Sequence, residues 1–163
     1  MPDTIVVSNT TPVIALSRIK HIQLLRDLYC DIHIPQAVYD EIFVKNDSIT
    51  CDVKNASDWI HTTSVKGTEM TPPFSSSLHL GEVEAIMLAN EMCADVLIVD
   101  DFLARKCALR IGLNVTGTMG ILLKSKNTGL IPKVKPLLDE MINEGVFLGS
   151  NIYHDVLCLA KEY

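Results

Sequence analysis

Several signatures are missing from this sequence, and each absence removes a class of protein. No apolar stretch approaches the roughly 20 residues needed to cross a bilayer, which excludes a membrane-spanning chain. No basic start leads into an apolar run and a small-residue cleavage site; Met1-Pro2-Asp3 runs straight into a short strand-like segment, so a cytoplasmic location is expected. Cys30, Cys51, Cys93, Cys107 and Cys158 form no Cys-x-x-Cys pair, which leaves a zinc knuckle or dithiol centre without support. Odd in number and mostly in apolar company, they are expected to be reduced core residues. No G-x-G-x-x-G follows a strand, and neither a P-loop nor a G-x-S-x-G elbow occurs, so dinucleotide, nucleoside-triphosphate and serine-hydrolase chemistry lack their fingerprints. The histidines at 21, 33, 61, 79 and 154 show no ligand spacing.

What is present describes one ordinary domain. The chain has 163 residues, 48% apolar and 21% charged, too short for two typical cores and too apolar for a disordered polymer. A net charge of −6 argues weakly against simple electrostatic capture of nucleic acid. The charge is unevenly spread, however. From Phe102 to Leu138 there is no Asp or Glu, while Arg105, Lys106, Arg110, Lys124, Lys126, Lys133 and Lys135 make up half of the 14 basic residues. That division suits an enzyme that grips phosphates on one surface and holds cations in an acidic pocket; a set of solvated helix faces would show the same division.

Strands separated by helices are readable along the chain. Thr4 to Ser8 is a β-branched strand, followed by a helix capped by Thr10 or Thr11 with Pro12 as its first residue. Ile22, Leu25 and Leu28 mark a second helix, Asp31 to Ile34 a strand, and Pro35 the start of the next helix. Lys45 to Lys54 reads as a polar loop, Trp59 to Val65 as a strand, and Gly67 to Ser77 as a flexible connection. Leu80 to Cys93 is a helix, and Val96 to Val99 a wholly apolar central strand. Phe102 to Ile111 is a helix ending at Gly112, Asn114 to Thr116 a strand, and Met119 to Lys126, Val134 to Asn143 and Ile152 to Ala160 are helices. Parallel strands require long crossovers, so the pattern predicts an α/β sandwich with a central parallel sheet and ligands beyond the carboxyl ends of its strands.

Four segments bring oxygen-bearing side chains to that edge: Asn9 after the first strand, Asp40 and Glu41 on the helix after the second, Glu82 and Glu84 at the start of the long helix, and Asp100 with Asp101 after the apolar strand. Clustered carboxylates repel unless a cation or retained protons neutralise them. Mg²⁺ answers that need, because it prefers oxygen ligands, keeps several waters and assists attack on a phosphodiester. Each residue also has a structural account: acids favour helix N-termini, Asp and Asn cap helices, and a charged residue on an amphipathic helix is commonly solvated.

The segments VVSNTTPVIAL, IPQAVYDEI, LGEVEAIMLA and ADVLIVDD, in this order and spacing, resemble the PIN-domain proteins, and most closely small stand-alone prokaryotic members with toxin-like nuclease character. The GTMGILLKSKNTGLIPKVKPLLDEM stretch is similar to their carboxyl half, so the resemblance covers roughly Ile5 to Leu159. It implies a PIN-like three-layer sandwich spanning residues 1–163 as one domain, with a helical extension from about residue 130. It implies a Mg²⁺- or Mn²⁺-dependent endoribonuclease, of the kind found as the toxin of type II toxin–antitoxin pairs. It places the family's acidic quartet on Asn9, Glu41, Glu82 and Asp100 or Asp101. Glu41, Glu82 and Asp101 (or Asp100) would hold the metal, with Asn9 as a neutral ligand. Ser8, Thr10 and Thr11 would orient phosphate or water, and Arg105, Lys106, Lys124 and Lys126 would position RNA. A cognate antitoxin and a homodimer are the expected partners. Asn9 departs from the family's aspartate: an amide oxygen can coordinate a cation but brings no charge and cannot act as a base. The alternative reading is therefore a catalytically weakened module that binds RNA or a partner protein.

Overall fold

A computed structural model describes residues 4–44, 47–67 and 77–163. Most of the expected connection from Gly67 to Ser77 lies outside the described residues, as do Met1 to Asp3. Among the described residues the chain forms five strands and nine helices in the order β1 (Val6–Ser8), α1 (Thr10–Arg18), α2 (Gln23–Tyr29), β2 (Ile32–Pro35), α3 (Gln36–Val44), α4 (Ser48–Asn55), β3 (Ile60–Thr63), α5 (Leu80–Glu91), β4 (Val96–Ile98), α6 (Phe102–Arg110), β5 (Val115–Thr116), α7 (Thr118–Asn127), α8 (Lys135–Asn143) and α9 (Ser150–Leu159). None of the described helices is long and apolar enough to cross a membrane.

The strands form one parallel sheet in the order β3-β2-β1-β4-β5. Val7 pairs with both His33 of β2 and Leu97 of β4, so β1 lies at the centre. Successive strand residues point to opposite faces, both of them covered, and the two cores divide along that alternation. Val6 and Ile98 join a core built from α1 to α4 and α7 to α9. Val7, Leu97 and Val99 join a second core under α5 and α6. The result is a three-layer α/β sandwich. Each fully buried Leu or Ile, such as Leu16, Ile34, Ile86 and Leu97, contributes about 1.5 to 3 kcal/mol.

The segment expected to be a loop from Lys45 to Lys54 is instead helical from Ser48. Asp47 caps α4, its Oδ1 accepting from the Ile49 and Thr50 amides at 3.0 and 3.4 Å, and Ile49, Thr50 and Val53 form a buried stripe. Three buried positions among polar neighbours give too faint a period to read in eight residues. The cap of α1 is Asn9 rather than Thr10 or Thr11, and Pro35 ends β2 rather than opening α3. The cysteines differ most from expectation. Cys107 is buried, but Cys30, Cys51, Cys93 and Cys158 are exposed, and none of the five is in a disulfide. Cys30 and Cys93 stand at helix ends with φ of 68° and 51°, where the reversal of the chain turns the side chain away from the core.

Helix α8 begins Val134-Lys135-Pro136, with no residue able to cap its own N-terminus. The carboxylate of Glu162 does so from the far end of the chain, accepting from the Val134 and Lys135 amides at 2.7 and 3.1 Å. Lys126 Nζ donates to the same carboxylate at 2.9 Å and to the Ala160 carbonyl. Burial pushes the Glu162 carboxyl up, but the amide and ammonium donors outweigh it and the net shift is downward. Its stabilisation is therefore present above the ordinary carboxyl range and is lost as pH falls through the lowered value. Glu162→Ala is expected to cost about 2 kcal/mol at neutral pH. Melting curves across pH should show the gap from wild type closing below about pH 4.

Candidate active site

The order of the sheet reverses direction between β1 and β4. From β1 the chain moves outward through β2 and β3, then returns to the other side of β1 for β4 and β5. Connections leave the carboxyl ends of β1 and β4 toward opposite sides, which opens a crevice there. The backbone N–H of Asn9 donates to the Ile98 carbonyl at 2.9 Å and holds the two strand ends together. A pocket of about 670 Å³ occupies this position, lined by Asn9, Thr10, Thr11, Glu41, His79, Leu80, Glu82, Asp100 and Asp101.

Each acidic side chain is held by its own local device. Glu41 comes from α3, and its Oε2 accepts from the Thr10 hydroxyl at 2.7 Å. Gly81 lets the Glu41 carboxylate lie against α5, where a Cβ would collide with Oε1. Glu82 sits in the first turn of α5, with Oε1 accepting from the His79 amide at 3.0 Å. Asp101 caps α6 through Oδ2, which accepts from the Ala104 amide at 2.9 Å. Asp100 is pinned by Thr118, whose amide donates to Oδ1 at 2.7 Å and whose hydroxyl donates to Oδ2 at 2.5 Å. The capping accounts open to these acids are thus realised in Glu82 and Asp101 without removing either from the pocket.

Two observations mark the pocket as short of positive charge. Glu82 is only 7% exposed, and burial, reinforced by the nearby Asp101 carboxylate, raises its pKa despite the opposing His79 amide. Asn9 is 4% exposed, and among the described residues its Oδ1 is the one buried side-chain oxygen or nitrogen without a hydrogen-bond partner. An orphaned amide oxygen beside a carboxyl that resists ionisation is a donor set that hard divalent cations match. Among the described residues no group of three or more Asp, Glu, His or Cys side chains is arranged, as it stands, to hold a metal ion. An ion held here would therefore keep water in several positions, as Mg²⁺ does.

Other expected site residues lie elsewhere. Ser8 is fully buried, its hydroxyl donating to the Asn9 carbonyl at 3.0 Å. Glu84 accepts from the Ala37 amide at 3.1 Å and so caps α3. Asp40 accepts from the Gln36 side chain at 2.9 Å on the surface. Lys124 lies over the Tyr29 ring at 4.6 Å, and Lys126 is engaged with Glu162. Lys106 is exposed on α6, whereas Arg105 turns into a neighbouring groove with Asp100 and Thr118. Sequence reasoning did not single out Thr118 or Gly81. A Gly-Thr pair directly after β5 and a Gly directly before Glu82 were the available signals.

The family model DUF3368, a PIN domain, matches residues 5–162. Among solved structures, the chain is similar to a PilT N-terminus domain protein from the hyperthermophilic archaeon Sulfolobus solfataricus P2, with a TM-score of 0.54 and 20% identity over 75% of this chain and 93% of that one. At that identity the likeness speaks for the fold. No curated protein matches the chain.

Proposed function

The chain belongs to the PIN-domain family, and from that premise we propose that it is a metal-dependent endoribonuclease. PIN domains are generally nucleases that use divalent metal ions. The observation that carries the reading is the meeting of Asn9, Glu41, Glu82, Asp100 and Asp101, from separate segments, in one pocket at the sheet's switch point.

Glu41, Glu82 and Asp101 would hold Mg²⁺ or Mn²⁺, with Asn9 Oδ1 as a neutral donor and Asp100 beside them. Such an ion, when bound, supplies Lewis acidity that activates water and offsets charge on a phosphodiester. The protein's own part is positioning. Thr118 and Thr10 fix the rotamers of Asp100 and Glu41 before substrate arrives, so little reorganisation is required during reaction. Thr11 and Arg105 stand beside the pocket to orient the substrate phosphates, a contact that carries no sequence information. The reading extends to a cytoplasmic toxin of a type II pair with a cognate antitoxin, and to a homodimer. The exposed Phe102, Leu103 and Leu109 of α6 supply apolar surface for association.

Asn9 favours a second reading, a module that binds RNA or a partner protein with weakened chemistry, because a neutral amide stands at the most buried of the donor positions. Incubation of a mixed RNA pool with Mg²⁺ or Mn²⁺, against EDTA, separates the two. Cleavage with metal and none with EDTA is expected; binding without cleavage under any divalent ion would leave only the module.

A further inference from the structure

We propose that the groove beside the acidic pocket is a subsite for one unpaired nucleotide of the RNA, with Phe147 stacking on the base and Arg105 contacting the phosphate; this rests on the nuclease reading above. The groove, about 470 Å³, shares Thr11 and Asp100 with the acidic pocket, so a strand crossing one enters the other. Its walls are otherwise largely apolar, with Met119, Phe147 and Ile152 among them. Phe147 is 91% exposed. An aromatic ring left in water at the edge of a groove offers a free face for a base, and stacking of this kind tolerates any base.

Arg105 gives the groove its cation. A Cβ at Gly117 would come within 2.8 Å of Arg105 Nη1 and 2.5 Å of Asp100 Oδ1, so the guanidinium lies against the same bare backbone as the pocket's carboxylate. Among the described residues Arg105 takes part in no salt bridge, which leaves its fork available to a phosphate. Asp100 and Asp155 both line the groove and repel phosphate, so Arg105, the one cation among the described lining residues, is where the backbone of the strand is held. A duplex hides its base faces in its own stack, hence the subsite selects single strands.

The test is equilibrium binding in EDTA of a short labelled single-stranded oligoadenylate and of a matching abasic ribose-phosphate strand. Phe147→Ala should weaken oligoadenylate binding about tenfold and leave the abasic strand unchanged. Arg105→Gln should weaken both and reduce the salt slope by about one. Equal oligoadenylate affinity in Phe147→Ala and wild type, or no oligoadenylate binding by wild type, overturns the subsite, as it would if the groove instead received an apolar protein segment. Cleavage assays with Mg²⁺ keep the two readings apart. Unchanged binding in Phe147→Ala beside active wild-type cleavage removes the subsite alone. The expected loss of binding with no cation-supported cleavage removes the nuclease reading alone.

Discussion

Glu82→Gln is expected to reduce metal-dependent RNA cleavage by about 10²- to 10³-fold, the scale of losing one preorganised electrostatic group from an active site. The substitution removes a charge while keeping the local architecture. A glutamine oxygen can still accept from the His79 amide, so the first turn of α5 keeps its cap. In EDTA the variant should melt no lower than wild type, because the carboxylate it removes is disfavoured by burial and by Asp101. Here the sign is opposite to that of Glu162. A raised acid contributes its stability in full below its ordinary value and loses it as pH rises through the raised one. Glu82→Gln should therefore gain on wild type toward neutral pH and converge with it near about pH 4. Retention of full cleavage by Glu82→Gln would remove this residue from the reaction. A melting temperature well below wild type in EDTA would mean that its carboxylate is structural.

Asn9→Asp should act in two directions according to the metal present. Asn9 is 4% exposed, with an unpartnered Oδ1, among four carboxylates that line the same pocket. A further carboxylate there either ionises against its neighbours or takes up a proton. Without metal the variant is expected to lose about 1 to 3 kcal/mol of stability. With Mg²⁺ or Mn²⁺ the order reverses. A unit charge about 4 Å from another is worth about 1 kcal/mol under the screening of water and about 4 kcal/mol under that near a protein surface. Metal affinity should therefore rise tenfold or more. Thermal melts over a metal titration read both effects, since an ion that binds only the folded state stabilises it by mass action. A cleavage rate that rises with the tighter binding would show that Asn9 holds the natural chain below its capacity. A melting temperature insensitive to Mg²⁺ in both proteins would mean that no ion binds in the pocket.

Much of this was legible in the residues because it is local. The β-branched run after Thr4 and the VLIV run before Asp100 are strands wherever they are placed, since their apolar side chains need two covered faces. Leu80 to Glu91 is a helix for equally local reasons. Helix α4 was not legible, because its short buried stripe gains meaning only against α1 and α3. The exposed cysteines were not legible either, for the left-handed turns at Cys30 and Cys93 depend on where the next element must go. Lys126 has the composition of a surface cation, and only the return of the C-terminal residues makes it a clasp for Glu162.

The residue types, their order and the element that each acid begins or ends were determined by the sequence itself, because capping, strand periodicity and helix periodicity act over a few neighbouring residues. The tertiary structure decided which of those acids meet. Glu84 and Glu82 are two residues apart on one helix, yet one caps α3 and the other enters the pocket. Asp100 and Asp101 are adjacent, yet one is locked by Thr118 while the other caps α6 beside Glu82. The pairing of β1 with β4, across roughly ninety residues of chain, sets that outcome, because a pocket at a switch point exists only once strands distant in sequence lie side by side.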